Sequence, residues 1–326
     1  MVKNYKNYSY FAIQLDKIKN YVLLSRLKNN YSLMSLELYG YGESVASNMA
    51  RVALSEKKIT YKYNLIYLES RGDHLTKEYK KLNPKNLAPT LIDDDLPIPD
   101  SIKIMRHIDV KYPDQGEELF PSSLDNDTFD DLLNFVTLDE TKELGETLGT
   151  TAGGISAPLL VKMICKRSVF SIIWDYSTKH SIKKRVPIFI LLRILGKPPR
   201  SLNKKMTLML ARHLVTIEAV LSHQREFMMG DKYTAIDCCM TSLLHRVQEM
   251  RFGSVFESNK LPYLKKYWET ISNRNSYKEG ILDYVTGEWE PEINKLYGDG
   301  PNTYNDLLWE ELNRLLKEKE YVTTNM

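Results

Sequence analysis

The sequence predicts an α/β domain followed by an all-α domain, and three observations carry that prediction. Between residues 36 and 111 short apolar runs and helical patterns come in the order βαβ, loop, ββα. From about Asp125 onward, apolar residues recur at three- and four-residue spacing almost throughout. Within the first segment a histidine, an Asn-Pro pair, an Ala-Pro pair and an Asp-Ser pair stand in order from His74 to Ser101, a combination that neither helix nor strand propensity demands. With 326 residues, 43% of them apolar, the chain can bury a large core, and its length suits two domains.

Leu36–Tyr39 reads as a short buried strand, followed by the turn Gly40-Tyr-Gly42-Glu-Ser44. A helix then carries Val45, Met49, Val52 and Ala53 on one face and ends near Lys57 and Lys58. Tyr61–Leu68 alternates toward a second strand, Thr90–Ile92 is a third, and Leu96–Ile98 a fourth after the acidic turn Asp93-Asp-Asp95. Ser101–Lys111 closes the unit as a helix. In the second domain, helices are expected over Phe129–Leu144, Lys204–Phe227, Ala235–Met250 and Leu261–Ser272. The expected boundaries are an N-terminal extension at 1–34, the α/β domain at 35–113, the helical domain at 124–285 with an insertion at 155–203, and a C-terminal extension at 286–326. In that last segment Leu308, Leu312, Leu315 and Leu316 form one apolar face of a helix over Asp306–Glu320.

A formal net charge of +3 makes no case for nucleic acid. The charge is uneven, with six Lys or Arg against one Asp in residues 1–33 and twelve against Asp175 alone in 162–205. The latter stretch suggests peripheral membrane contact, since Val186–Leu195 is apolar and flanked by Lys183, Lys184, Arg185, Arg193 and Lys197. The competing reading, which the composition favours, is a solvated helix pair that packs Ile188–Leu192 inward. Cys165, Cys238 and Cys239 are too few and too clustered for a disulfide framework, so a reducing compartment, the cytoplasm, is expected and no metal site is. No apolar run reaches the roughly 18 residues of a membrane span. The basic start lacks the apolar core of a secretory signal, which leaves a transit peptide or a start at Met34 open.

Each motif residue has two readings. Ala88-Pro89 is either an ordinary strand start or a cis-proline turn, which would keep Ala88 from pairing in the sheet and aim its N–H and C=O at a ligand lying alongside. Asp100-Ser101 opens a helix, where Ser and Asp normally cap the backbone. The same free N–H groups and dipole would hold a carboxylate while Asp100 pairs with an ammonium, which together suit an α-amino acid head group. His74 reads as a loop histidine able to donate to a second carboxylate, and Asn86 suits a position of positive φ. Ser44 either caps the first helix or donates to a thiolate, lowering its pKa from about 8.5. Ser47, Tyr39 and Tyr41 are rival donors. Thr234-Ala-Ile-Asp237 reads as a reciprocal helix-start box, with Cys238 and Cys239 behind it as core residues.

Together these residues resemble the cytosolic glutathione transferase superfamily over about residues 36–285. His74 lies fifteen residues before Pro89 and Asp100 eleven after it, a spacing similar to that of the theta and phi-like serine classes. Asn83-Pro84-x-Asn86, Arg51-Val-Ala-Leu-Ser-Glu-Lys-Lys-Ile and Gly230-Asp231…Thr234…Asp237 resemble further family motifs. The long insertion looks like that of the ganglioside-induced differentiation-associated proteins and the tetrachlorohydroquinone dehalogenase-like class. The resemblance implies a thioredoxin-like N-terminal domain, an all-helical C-terminal domain, glutathione as co-substrate, an electrophilic small molecule as second substrate, and a homodimer. It implies Ser44 as thiol activator, His74 at the glycyl carboxylate, Ala88 and Pro89 at the cysteinyl unit, and Asp100 and Ser101 at the γ-glutamyl group. Asp, Asn and Ala stand at 100, 86 and 88, where the family more often has Glu, Gly, and Val or Ile. With no cysteine near Ser44, glutaredoxin-like thiol exchange is not expected.

Overall fold

In the computed structural model, residues 36–324 are described apart from Glu140, Ser181, Lys184 and Gln224, with side chains as far as Glu318. The expected N-terminal extension lies outside the described residues. Strands β1 (Leu36–Gly40), β2 (Lys62–Leu65), β3 (Thr90–Asp93) and β4 (Leu96–Pro99) form one sheet in the order β2-β1-β3-β4. β2 runs parallel to β1 and the other pairs are antiparallel, as a thioredoxin-like sheet requires. β2 is shorter than the expected Tyr61–Leu68 run, and the loop after it holds a 3-10 turn, Asp73–Leu75, that the sequence did not suggest. Helix α2 (Lys77–Leu82) follows and was also unforeseen; Thr76 starts it by accepting the Tyr79 amide at 3.2 Å.

Helix α1 (Val45–Glu56) is buried on nearly every face because it lies between the sheet and the helical domain. That position explains Arg51, fully buried yet satisfied by the carbonyl oxygens of Tyr41, Gly42 and Gly280, by Asn48, and by the Tyr63 hydroxyl. Helix α3 (Ser101–Lys111) packs against α1.

The helical domain contains α4 (Asn126–Val136), α5 (Leu148–Ile155), α6 (Ala157–Cys165), α7 (Val169–Thr178), α8 (Arg185–Leu195), α9 (Arg200–Leu221) and α10 (Ala235–Val247). The short α11 (Ser254–Glu257), α12 (Pro262–Ser272) and α13 (Asn275–Gly280) follow. Helix α4 does not continue to Leu144 as its apolar spacing suggests. The chain leaves the helix at Thr137, whose carbonyl accepts from the Thr147 hydroxyl at 3.1 Å, and α5 begins there. Gly149 permits that approach, since a β-carbon on it would lie 2.2 Å from the Thr137 oxygen. At the start of α10 the reciprocal box is present as read, with Asp237 accepting the Thr234 amide and Thr234 capping the helix.

Helices α6 to α8 form a small second core from Val161, Ile164, Ile172, Tyr176, Phe189 and Leu192, packed on Leu75 of the α/β domain. Phe189 and Leu192 turn inward, whereas Ile188 and Leu191 are exposed, so the expected inward packing holds for two of the five residues of that stretch. The C-terminal extension forms α14 (Glu290–Tyr297) and α15 (Asn305–Thr324), the latter lying along α9 with Leu308 and Leu312 in the main core.

Candidate functional site

A cavity of about 1100 Å³ opens between the α/β domain and the helical domain. On one wall stand His74, Asn86, Ala88, Pro89, Asp100 and Ser101, so five of the six expected site residues line it. The Ala88-Pro89 bond is cis, the second of its two readings, and Asn86 has φ 57°, the positive value its position suits. The amide of Asp100 bonds the Pro89 carbonyl at 3.3 Å, which sets the proline turn beside the start of α3.

At that start both readings of the Asp-Ser pair coexist. Asp100 Oδ1 accepts the amides of Ile102 and Lys103 at 3.0 and 3.2 Å, so the carboxylate caps α3 while facing the cavity. The Ser101 hydroxyl makes only a long contact of 3.8 Å to the Met49 sulfur among the described residues, which leaves it a donor for a ligand.

Ser44 is the sixth residue and does not line the cavity, which reaches α1 at Ala46 and Met49. Its hydroxyl caps α1 by accepting the Ser47 amide at 3.3 Å. Accepting leaves the hydroxyl proton uncommitted. The rival donors fare worse. The Tyr41 hydroxyl donates to Glu288 at 2.8 Å, and burial drives its pKa far above the usual phenol value. Ser47 is fully buried and accepts the Tyr41 amide, and Tyr39 sits against the Tyr79 ring.

His74 differs most from its expected role. It is 2% exposed, in the 3-10 turn rather than an open loop, and burial pushes its pKa down to about 3. A neutral imidazole brings no positive charge to a carboxylate. Cations that line the cavity include Lys85 and Arg185, the latter the first residue of α8 and part of the segment whose composition suggests membrane contact. Its guanidinium lies 4.0 Å from Glu69 and 3.4 Å from the His180 ring, and Glu69 also lines the cavity. Burial raises the Glu69 pKa, against the pull of Arg185 and Arg167.

The opposite wall comes from α4, α5 and the segment between them: Leu133, Asn134, Thr137, Leu138, Leu144 and Thr150. Phe135 and His245 do not line it; Phe135 packs edge-on against His213, and His245 bonds Tyr277. Cys238 and Cys239 are fully buried, and burial raises both thiol pKa values, which fits core residues rather than nucleophiles.

Comparison with known proteins agrees with an α/β domain followed by a helical one. Residues 44–111 match the family model for the glutathione S-transferase N-terminal domain, and residues 188–275 match that for its C-terminal domain. The chain belongs to the glutathione S-transferase superfamily. The C-terminal transferase match begins within α8, inside the expected insertion. Glutathione S-transferase Z1 of Arabidopsis thaliana is 38% identical over 79 residues, 24% of this chain and 35% of its own. A probable maleylacetoacetate isomerase of Vibrio cholerae is 38% identical over 82 residues, 25% of this chain and 38% of its own. The chain thus spans little more than a third of the length of these curated relatives. Among solved structures, a beta-etherase from a Sphingobium strain superposes with TM-score 0.63 at 20% identity, over 76% of this chain and 98% of its own. A glutathione transferase of Phanerochaete chrysosporium, solved with oxidized glutathione, gives 0.54 at 20% identity over 80% and 98%.

Proposed function

We propose that this protein is a glutathione transferase, binding glutathione in the cavity and directing its thiolate at an electrophilic small molecule. The observation that carries the proposal is the meeting of the Ala88-Pro89 turn and the Asp100-Ser101 helix start on one cavity wall, next to the first turn of α1. The two termini of glutathione carry different charges, and the wall offers a different partner for each. Asp100 takes the γ-glutamyl ammonium while the Ser101 hydroxyl and the Ser101 amide at the start of α3 take the adjacent carboxylate. Ala88 bonds the cysteinyl unit through its backbone, as an added strand would be bonded. Arg185 supplies the charge for the glycyl carboxylate, with His74 behind it as a neutral group.

The cysteinyl unit then points toward the start of α1, where the Ser44 hydroxyl donates a hydrogen bond to the thiolate and keeps its own proton. A thiol with an ordinary pKa of about 8.5 is only a few per cent ionised at neutrality, so lowering that value raises the reactive fraction directly. The wall of Leu133, Leu138 and Leu144 supplies an apolar bed for the electrophile, and holding the two reactants together contributes the rest. A homodimer, as is common in this superfamily, and a cytoplasmic location belong to the same reading. The latter fits three cysteines that are free among the described residues.

The test is calorimetric titration of glutathione into wild type and Ser44→Ala, with ultraviolet titration of the bound thiol. Wild type should bind and depress the thiol pKa, while Ser44→Ala binds but leaves it near 9. Absence of binding at millimolar glutathione would overturn the proposal and leave a transferase fold serving as a binding scaffold.

A further inference from the structure

The two helices α7 and α8 pack on each other and bury Ile172, Tyr176, Phe189 and Leu192 between themselves and α6. Their other faces carry an unusual load of exposed apolar side chains. Phe170 is 76% exposed and Trp174 57%, with Ile173 between them; on α8, Ile194 is 71% exposed, with Ile188, Leu191 and Leu195 also outward. The Phe170 and Trp174 rings stack with centroids 6.5 Å apart, one turn of helix from each other. Isolated exposed apolar residues are ordinary, but half of the large exposed ones among the described residues fall on these two helices.

The charge around them is predominantly basic, with Glu288 bound to Lys166 as the acidic side chain at its edge. Lys166, Lys183, Lys197 and Arg200 are exposed, and Lys179 and Arg193 are partly so. Asp175, the one acidic side chain between residues 162 and 205, is already bound by Arg167 and Lys179. Burial of the face against a second copy across a two-fold axis would set this basic rim against itself. An anionic lipid surface answers both features: headgroup phosphates and carboxylates meet the Lys and Arg side chains while Phe170, Trp174 and Ile194 enter the acyl boundary. Indole rings favour that interfacial depth.

We infer that α7 and α8 form a peripheral docking surface for anionic membranes. It is independent of the transferase reading except that α8 begins at Arg185 on the cavity wall, so docking sets the cavity beside the membrane. No single helix among the described residues is long and apolar enough to span one.

The experiment is flotation of the full chain with phosphatidylserine-containing and pure phosphatidylcholine vesicles, together with Trp174 emission and the oligomeric state by sedimentation. Wild type should float with the anionic vesicles, shift its emission to the blue, and lose binding about tenfold as salt is raised from low to several hundred millimolar. The double variant Phe170→Glu with Ile194→Glu should keep its melting temperature and glutathione affinity yet lose at least tenfold in vesicle binding. Wild type that stays unbound, or a variant that floats equally well, overturns the inference. A wild-type dimer that the double variant dissolves would also overturn it, assigning the face to a second copy.

Discussion

Arg274 holds Glu56 with two parallel hydrogen bonds, Nε to Oε1 at 2.7 Å and Nη2 to Oε2 at 2.6 Å, tying the end of α1 to the helical domain. Ser276 donates to the same carboxylate, and the guanidinium lies 4.2 Å over the Tyr233 ring. The Glu56 side chain is 7% exposed, so removing its partner strands a buried charge. Arg274→Ala should cost about 3 kcal/mol in chemical denaturation, whereas the double change Glu56→Gln with Arg274→Met should cost less. Equal costs for the single and double variants would show that the pair does not tie the domains.

The helical wall of the cavity can be altered without touching the opposite wall. Gly153 lines it, and a β-carbon there would meet nothing within 4 Å. Gly153→Phe should therefore fold normally and project its ring into the electrophile side. Glutathione affinity should stay unchanged while kcat/KM for an apolar electrophile falls about tenfold, roughly 1.4 kcal/mol of transition-state binding. A parallel fall in glutathione affinity would mean that the two ligand sites are not separated along this wall.

Acid should weaken the fold before its carboxylates titrate. Burial holds His74 and His245 near a pKa of about 3, so both remain neutral in the folded chain when the unfolded chain takes up protons near pH 6.5. The unfolded state then binds more protons, and stability falls as pH drops from about 6.5 toward the folded values. Between pH 6.5 and 5.5 each histidine contributes a loss of about 1 kcal/mol. Melting curves across that range should show the slope, and His74→Gln should flatten it. An unchanged slope in the variant would place the proton uptake elsewhere.

What the sequence revealed and what it hid divide by distance along the chain. The Ala88-Pro89 turn, the Asp100 cap and the Thr234–Asp237 box are local: each is formed by residues a few positions apart, so residue type and spacing suffice. The end of α4 was not legible, because its apolar spacing runs on to Leu144 and what stops the helix is a contact with Thr147 and Gly149. The burial of His74 was hidden for the same reason. Its neighbours Tyr176 and His180 come from the insertion, about a hundred residues later.

Arg185 shows the consequence of that hidden packing most directly. In sequence it belongs to a basic run next to an apolar helix; in space it stands on the cavity wall with Glu69 and Asn86. Its side chain is 29% exposed, and the ion pair to Glu69 is long at 4.0 Å, so a carboxylate placed nearby competes well for it. A charge-assisted hydrogen bond of about 1.5–3 kcal/mol corresponds to a ten- to hundredfold change in affinity. Arg185→Gln should therefore weaken glutathione binding at least tenfold, measured by calorimetry. The same variant should bind γ-glutamylcysteine, which lacks the glycyl carboxylate, as wild type does. Equal loss for both ligands would mean that Arg185 only holds α8 against the α/β domain, and the glycyl end would then need another partner.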